Sequence, residues 1–586
     1  MYTDLKSYQI IIALLKKYNI RQCVLSAGSR NVPFVHSVEE DSFFKCYSVV
    51  DERSAGYFAL GLSQQLQEPV VISCTASTAS CNYWPPVAEA FYQGVPLVIL
   101  TSDRDAAMLG QWEDQMIDQV GMFDRHVRKS VNLPEVKDER DWIFCQRLVN
   151  EVLLELNHHG TGPVHINIPM ETYSLSFKTM ELPAVTKIDR LDVFTENGEW
   201  SSKLEKLKKC NRVLVTCGQS SYVSETLMSE LTRFFKTYNA SISVEHMGNV
   251  SCEGAINTSV CFETKYITKE KFQELMPDIV ISYGNNITQG LKELLLRNHN
   301  NFEHWLIQEE GRVVDMYKAL TTIFECPVDY FFKRCNDYAE GYRNNMEYHS
   351  LIKDFAESIV YPEFPFCSTY AIQQVVTRIP SGSILQLAIN NSIRITNFFK
   401  LNPNVRTYAN IGTYGIDGCL STLIGQSTAT KGMAFLITGD LAFFYDMNAL
   451  RIKHVGNNVR ILLINNEGGG EFYYNGTWRN EASDLHTTAR HHTKAEGWVK
   501  ECGFIYLSAH NKEELQDALM KFMDEGLDYP VFLEVFTEMK DDAEKVFDFY
   551  NLSKPQQHPS LGQQVKKVVK VIIGKDTVES LKRIIK

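Results

Sequence analysis

Two apolar strands that close on polar residues, with a helical segment between them, constrain this chain more than any other feature. GMAFLITGD closes on Gly439-Asp440, and VRILLINN closes on Asn465-Asn466, twenty-six residues beyond Asp440. Between them, LAFFYDMNALRIKHV shows apolar residues at helical spacing and a polar face. Strand, helix and strand of these lengths make a βαβ unit, so the two strands run parallel. Ligands of open α/β sheets collect outside the carboxyl ends of the strands. Asp440 and Asn466 meet there and offer a carboxylate and an amide oxygen. The Gly468 carbonyl adds a third oxygen, because glycine lets the backbone fold back sharply. Three protein oxygens with room for water and phosphate suit a hard cation such as Mg²⁺ on a diphosphate. A plainer reading fits the same residues: a strand-end Asp capping the next helix, and two Asn in a turn.

A second segment adds a carboxyl of another kind. FKCYSVVDERSAGYFALGLS reads as a short strand, then Asp51-Glu52, then a helix with Ala55, Tyr57, Phe58, Ala59 and Leu62 on its apolar side. A carboxylate at a helix start commonly complements the dipole. In an apolar setting beside a diphosphate site, it is also a candidate for proton chemistry. Taken together, the two segments resemble the thiamine diphosphate enzymes.

The resemblance narrows along the chain. Ser26-Ala27-Gly28-Ser29-Arg30, Asp51-Glu52-Arg53-Ser54-Ala55-Gly56, Thr101-Ser102-Asp103-Arg104 and Asp114-Gln115-Met116-Ile117-Asp118-Gln119 follow one another. Asn391-Ser392, Gly415-Ile416-Asp417-Gly418, Asp446-Met447-Asn448-Ala449-Leu450 and Asn465-Asn466-Glu467-Gly468-Gly469-Gly470 come after them. In this order they resemble the 2-succinyl-5-enolpyruvyl-6-hydroxy-3-cyclohexene-1-carboxylate synthases of menaquinone biosynthesis, over roughly residues 1–540. The resemblance implies thiamine diphosphate with Mg²⁺ (or Mn²⁺), decarboxylation of a 2-oxoacid and transfer of the acyl carbanion to a carboxylated acceptor. It implies that Glu52 hydrogen-bonds the aminopyrimidine N1′ and is the catalytic residue. Asp440, Asn466 and the Gly468 carbonyl would hold the metal. Asn391, Ser392, Ile416 and Gly439 would contact the cofactor, with Ile416 propping it in a bent shape. Ser29, Arg30, Arg104, Gln115, Arg394 and Ile411 fall at substrate positions. Two arginines suit a multiply carboxylated acceptor, since a guanidinium fork pairs well with carboxylate. An ordinary salt bridge to Asp103 or Asp105 is the plainer role for Arg104.

The chain departs from the family pattern on the donor side. Ile411 stands where the family has an arginine, in Asn410-Ile411-Gly412-Thr413-Tyr414-Gly415-Ile416-Asp417-Gly418. Thr396, four residues after Ser392, stands where a second arginine is expected, and Arg394 would point elsewhere on a helix. Gly290 replaces a middle-domain lysine, with Lys292 nearby. Those arginines hold the distal carboxylate of 2-oxoglutarate in the family, so a pyruvate-like donor is expected here, with Ile411 and Tyr414 lining its pocket. Two alternatives accompany the transferase reading: a simple 2-oxoacid decarboxylase or carboligase, and a non-catalytic cofactor-binding relative.

Length and pattern give the organisation. At 586 residues the chain exceeds one core. The expected fold is α/β, three doubly wound parallel-sheet domains of the thiamine diphosphate enzyme type. Residues 1–180 form an N-terminal pyrimidine-binding domain with strands QCVLSA, CYSVV, EPVVISCT, VPLVILTS and PVHINIP. A linker holds Pro183 and the polar run from Thr195 to Glu199. Residues 190–335 form a middle domain, mainly structural, and 336–365 a charged helical connector. Residues 366–550 bind diphosphate and metal, and 551–586 are a basic amphipathic tail that reads as a docking helix. Net charge is −12, so nucleic acid and anionic membrane are not expected partners. Fourteen cysteines show no CxxC pair or zinc spacing, and Cys74, Cys81, Cys217 and Cys419 read as reduced core thiols. His491-His492 reads as surface. No apolar run approaches a membrane span and MYTDLKSYQIII lacks signal-peptide features, so a cytoplasmic enzyme is expected, a homodimer or homotetramer.

Overall fold

The computed structural model describes residues 1–171, 175–287, 289–344, 347–474 and 486–552. Strands and helices alternate along the chain, and the strands gather into three sheets whose paired strands all run parallel. The first sheet orders its strands Lys45–Ser48, Gln22–Leu25, Val70–Cys74, Leu97–Arg104, Val164–Met170, Ser130–Asn132. The third orders them Arg406–Ala409, Ile384–Leu387, Ala434–Gly439, Val459–Asn465, Val531–Phe536, Ile505–Ala509. Counted along the chain within each sheet, both orders read 2-1-3-4-6-5.

That order fixes where a ligand fits. The chain reverses its winding between the first and third strands of each sheet, and the loops leaving those two strands part to leave a crevice. In the first sheet these loops start at Ser26 and Thr75; in the third they start at Ala388 and Asp440. The strands themselves are near-continuous apolar runs because helices cover both faces. In the first sheet Val71, Val98 and Ile166 face one core, while Val70, Ile72 and Ile99 face another.

The middle sheet orders its strands Ala255–Asn257, Ser241–Val244, Val213–Cys217, Ile279–Tyr283, Glu303–Ile307, Leu320–Glu325, Asp189–Asp192. One of its faces shares a continuous core with the third sheet: Leu214, Val280 and Leu291 belong with Ile372, Leu385 and Phe435. This shared packing sets Ser259 and Glu263 beside the loop that follows Leu387.

Several local expectations are corrected. The polar run Thr195 to Glu199 is a helix start, leading into Asn197–Lys209, not part of a linker. The short strand Asp189–Asp192 pairs with Leu320–Glu325 at the edge of the middle sheet. The segment after Asp440 is helical to Asp446 and then tightens into a 3₁₀ turn, Met447–Arg451, rather than continuing to Val455. Asp446 turns back to accept Ser421 N–H (2.7 Å), and the Trp498 indole donates to the Met447 carbonyl (2.9 Å), which ends the helical ladder. The connector contains the helix Glu347–Glu357. The tail from residue 553 lies outside the described residues. Among those described, no helix is long and apolar enough to cross a membrane.

Candidate active site

Asp440 opens the helix Asp440–Asp446 and is 1% exposed. Its Oδ2 accepts the backbone N–H groups of Asn466 and Gly468, each at 3.0 Å, and its Oδ1 accepts that of Leu441 at 2.6 Å. One carboxylate thus ties together the loops that leave two neighbouring strands. Asn466 is oriented from behind: its Nδ2 donates to Asp542 Oδ2 (3.1 Å), so its amide oxygen faces away from Asp542. Asp542 also accepts from Ser368 N–H (2.7 Å) and the Thr537 hydroxyl (2.6 Å), and burial raises its pKa to about 6. Gly468 has φ +152°, and a Cβ there would lie 2.7 Å from the Thr488 carbonyl oxygen, so the turn requires glycine.

Over these groups opens a cavity of about 310 Å³. Asn391, Ser392, Ile416, Gly439, Asp440, Asn466 and Gly468 all line it, with apolar Ile372, Ile389 and Ile464. A buried carboxylate, an amide oxygen and a backbone carbonyl form a hard donor set that suits Mg²⁺, and the apolar walls suit a flat aromatic cofactor. A larger cavity, about 470 Å³, runs along the stretch 398–406. That stretch enters the strand Arg406–Ala409 at its amino end, and the middle unit adds Glu245 and His246 from beyond the carboxyl end of Ser241–Val244. His491, expected at the surface, is a correction: its Nε2 lies 3.5 Å from Asp440 Oδ2, and that carboxylate raises its pKa. His492 does face solvent, against Glu467 at 3.0 Å.

Arg394 points away from Thr396, as side chains two residues apart on a helix do. The helix Asn391–Thr396 starts after Asn390, which sits at φ +60°. Residues three apart then share a face, so Arg394 lies over Asn391 and donates to its Oδ1 (2.7 Å). Asn391 lines the cofactor cavity, and Arg394 the smaller one beside it. Thr396 is fully buried in the opposite direction. Arg394 is forked onto Glu471 through Nη1 (2.7 Å) and Nη2 (3.0 Å). Both line a small adjoining cavity with Tyr414 and Glu263. Ile411 is buried (5% exposed) in the shared core and is not among the residues lining that cavity. Lys292 donates to Asn286 (2.9 Å) and is committed there. The middle unit, expected to be mainly structural, supplies Ser259 and Glu263 to this cavity.

The first unit carries the other residues. Asp51 caps the helix Glu52–Leu66 by accepting Ser54 N–H (3.2 Å), which places Glu52 at its first position. Burial first, and then the Glu52 carboxylate, push the Cys74 thiol up; burial and Cys74, and after them Glu52, push the Tyr83 hydroxyl up. Glu52 therefore lies near the crevice at Ser26 and Thr75. A Cβ at Gly28 would meet Thr75 Cβ at 2.4 Å, so the two crevice loops touch there. Arg30 donates to Gln115 Oε1 (3.2 Å), which brings two expected acceptor residues together. Arg104 pairs with Glu113 rather than with a neighbouring aspartate. Ser29 is exposed in the 3₁₀ turn Ser29–Asn31. Cys81, expected in the core, is exposed on the helix Thr78–Asn82, whereas Cys74, Cys217 and Cys419 are buried. Among the described residues, the cavity over Asp440 takes none of its lining from this first unit.

Asn167, Glu263, Glu471, Glu534 and Asp542 escaped the sequence reading. Asn167 links Gln119 to Asp103, and Glu534 accepts from Asn465 Nδ2 (2.7 Å). The usable signal was charge inside an apolar strand, as for Glu534 in PVFLEVF. Backbone strain also marks the two regions: Ser77, Gln115, Asn390, Tyr414 and Glu467 all have positive φ.

The family model described as thiamine pyrophosphate enzyme, N-terminal TPP binding domain, matches residues 5–122. Proteins named 2-succinyl-5-enolpyruvyl-6-hydroxy-3-cyclohexene-1-carboxylate synthase match almost end to end. That of Bacteroides fragilis is 38% identical, over 94% of this chain and 100% of its own. That of Phocaeicola vulgatus is 37% identical, over 94% and 99%. That of Bacteroides thetaiotaomicron is 37% identical, over 94% and 100%. The chain belongs to this synthase family, whose cofactor is thiamine diphosphate with a divalent metal ion and whose reaction decarboxylates a 2-oxoacid and transfers the acyl unit to an acceptor.

Proposed function

We propose that the active site is assembled from two copies of this chain, with Glu52 of one facing the Asp440 cavity of the other. The observation that carries this is the division of the site. Glu52, Arg30 and Gln115 lie at one switch point and Asp440, Asn466 and Gly468 at another, and among the described residues the cavity of the second takes no lining from the first. Exposed apolar side chains on the first unit support the pairing, among them Tyr57, Phe58, Trp84 and Tyr92. Tyr414 and Phe472 are also exposed at the third-unit site.

Asp440, Asn466 and the Gly468 carbonyl would hold Mg²⁺, and with it the diphosphate. Ile416, Asn391 and Ser392, which line the same cavity, would contact the cofactor. Thiamine diphosphate, when bound, supplies the electron sink for decarboxylation. Glu52 would share a proton with the aminopyrimidine N1′ and so set the protonation state of that ring. Arg30, Arg104 and Gln115 would orient a carboxylated acceptor, and the guanidinium groups would neutralise its charge. All fourteen cysteines are free, which supports a reducing, cytoplasmic compartment.

Carbon dioxide release tests the reading. Purified protein with thiamine diphosphate and Mg²⁺ should release it from at least one member of a panel of 2-oxoacids, and chelator should abolish that release. No release from any donor, with or without isochorismate as acceptor, would refute it.

A further inference from the structure

We infer that the junction of the first and middle units carries a second metal site, a Zn²⁺ site made by His158, His159 and Glu325 and completed by water. Among the described residues it shares none with the cavity over Asp440 or the one beside Arg394, and it does not depend on the reaction proposed above.

His158 and His159 follow the helix Glu139–Leu154 of the first unit, and Glu325 ends the strand Leu320–Glu325 of the middle sheet. Consecutive side chains ordinarily diverge. Here His159 takes φ +52°, a left-handed conformation, and the two rings come to 4.1 Å between centroids. Both Nε2 atoms then meet one carboxylate: that of His158 lies 2.9 Å from Glu325 Oε2, and that of His159 lies 2.6 Å from Oε1. The three ligand atoms lie within 4.8 Å of one another. Tetrahedral ligands at about 2.0–2.1 Å from zinc stand about 3.3 Å apart, so small side-chain rotations open the cluster to that size. A Cβ at Gly311 would overlap Glu325 Oε2 and sit 3.1 Å from His158 Nε2, and glycine keeps that space clear.

Charge and orientation favour a cation. Glu325 is buried, and the nearby guanidinium is committed elsewhere. Arg190 donates to Glu155 Oε1 (2.9 Å) and to the Leu154 carbonyl (3.2 Å), while its Nε stays 3.9 Å from Glu325 Oε2. Two carboxylates thus share one guanidinium, and neutral imidazoles leave one negative charge over. With its proton on Nδ1, His158 donates to Glu155 Oε2 (3.1 Å) and presents a lone pair at Nε2, the arrangement that orients metal-binding histidines. The His159 side chain is 68% exposed, so water reaches the fourth position. Two imidazoles, a carboxylate and an open place suit Zn²⁺, whereas Mg²⁺ prefers the all-oxygen set at Asp440. Zinc bound here ties a loop of the first unit to the middle sheet. A protonated imidazole supplies the same charge, and the test separates the two.

The test uses full-length protein stripped by chelator and returned to millimolar Mg²⁺, which keeps zinc from the Asp440 site. Zn²⁺ is titrated by calorimetry into the parent, His158→Ala, His159→Gly and Glu155→Gln. Glycine suits the positive φ at 159, so His159→Gly loses a ligand and keeps the fold. The parent should bind one Zn²⁺ that both histidine variants bind at least about a hundredfold more weakly, and Glu155→Gln about tenfold more weakly. The free cysteines are the same in every variant, so the difference between parent and variant measures this site alone. Zn²⁺ should also raise the urea midpoint of the parent and leave that of His159→Gly unmoved. Equal zinc affinity in the parent and His159→Gly overturns the proposal. So does a parent whose urea midpoint zinc leaves unchanged, a result that assigns the charge beside Glu325 to protonated imidazole.

Discussion

Gly56 lies one turn after Glu52, on the face where the helix Glu52–Leu66 crosses the helix Trp84–Gln93. A Cβ at Gly56 would sit 2.3 Å from Pro86 Cγ and 2.8 Å from Pro86 Cβ. Pro86 is buried on the first turn of its helix and has no rotamer to adopt. Restoring ordinary contact moves one helix by more than about 1 Å. Overpacking of this kind costs about 1–3 kcal/mol, offset by roughly 0.5–1 kcal/mol from the better helix propensity of alanine. Gly56→Ala should therefore fold, with a modest loss of stability. Glu52 moves with its helix, and a displacement of about 1 Å at a catalytic group lowers turnover by roughly a hundredfold. The diphosphate end is untouched, so cofactor affinity should change by less than about threefold. Gly61 is the control: it lies on the same helix, and a Cβ there meets nothing within 4 Å. The assays are kcat by carbon dioxide release, cofactor Kd by calorimetry and urea unfolding. Normal kcat in a folded Gly56→Ala protein, or an equal loss in Gly61→Ala, refutes the reasoning.

Glu52→Gln should retain cofactor binding and lose turnover by several orders of magnitude, because an amide cannot share a proton with N1′; comparable kcat would remove Glu52 from its role. Asp440→Ala strips the acceptor from three backbone N–H groups, a loss of roughly 3–6 kcal/mol within the loop pair; cofactor affinity should collapse and excess Mg²⁺ should restore little, and retained affinity would show the metal site is elsewhere. Co-expressed Glu52→Gln and Asp440→Ala chains should recover about a quarter of parental activity if each site spans two copies of a symmetric dimer; no recovery despite mixed dimers would place the whole site in one chain. His165 and His304 are fully buried, and burial pushes both down to about 3. Their folded-state values lie below the unfolded one, so the stability they contribute is present above about pH 6.5 and is lost as pH falls toward 3. Between pH 6 and 5 each should cost about 1.4 kcal/mol, and His304→Asn should show a shallower decline in urea midpoint than the parent.

The parts of the site that could be read in the sequence are those that sit at strand ends. Asp440 and Asn466 follow apolar runs whose ends are sharp, and a parallel sheet brings such ends together whatever the intervening loops do. Glu52 was legible for a related reason, since a capped helix start after a short strand fixes the position of one side chain. The direction of Arg394, away from Thr396, was legible from helix geometry, whereas its partner Glu471 was not. Glu263 and Glu471 gave no signal at all. Each is an ordinary acid in a polar stretch, and each gains its meaning from a partner far along the chain, 77 residues apart for Arg394 and Glu471 and 287 for Glu263 and Tyr550. The cofactor half of such an enzyme is written locally, in turns and strand ends.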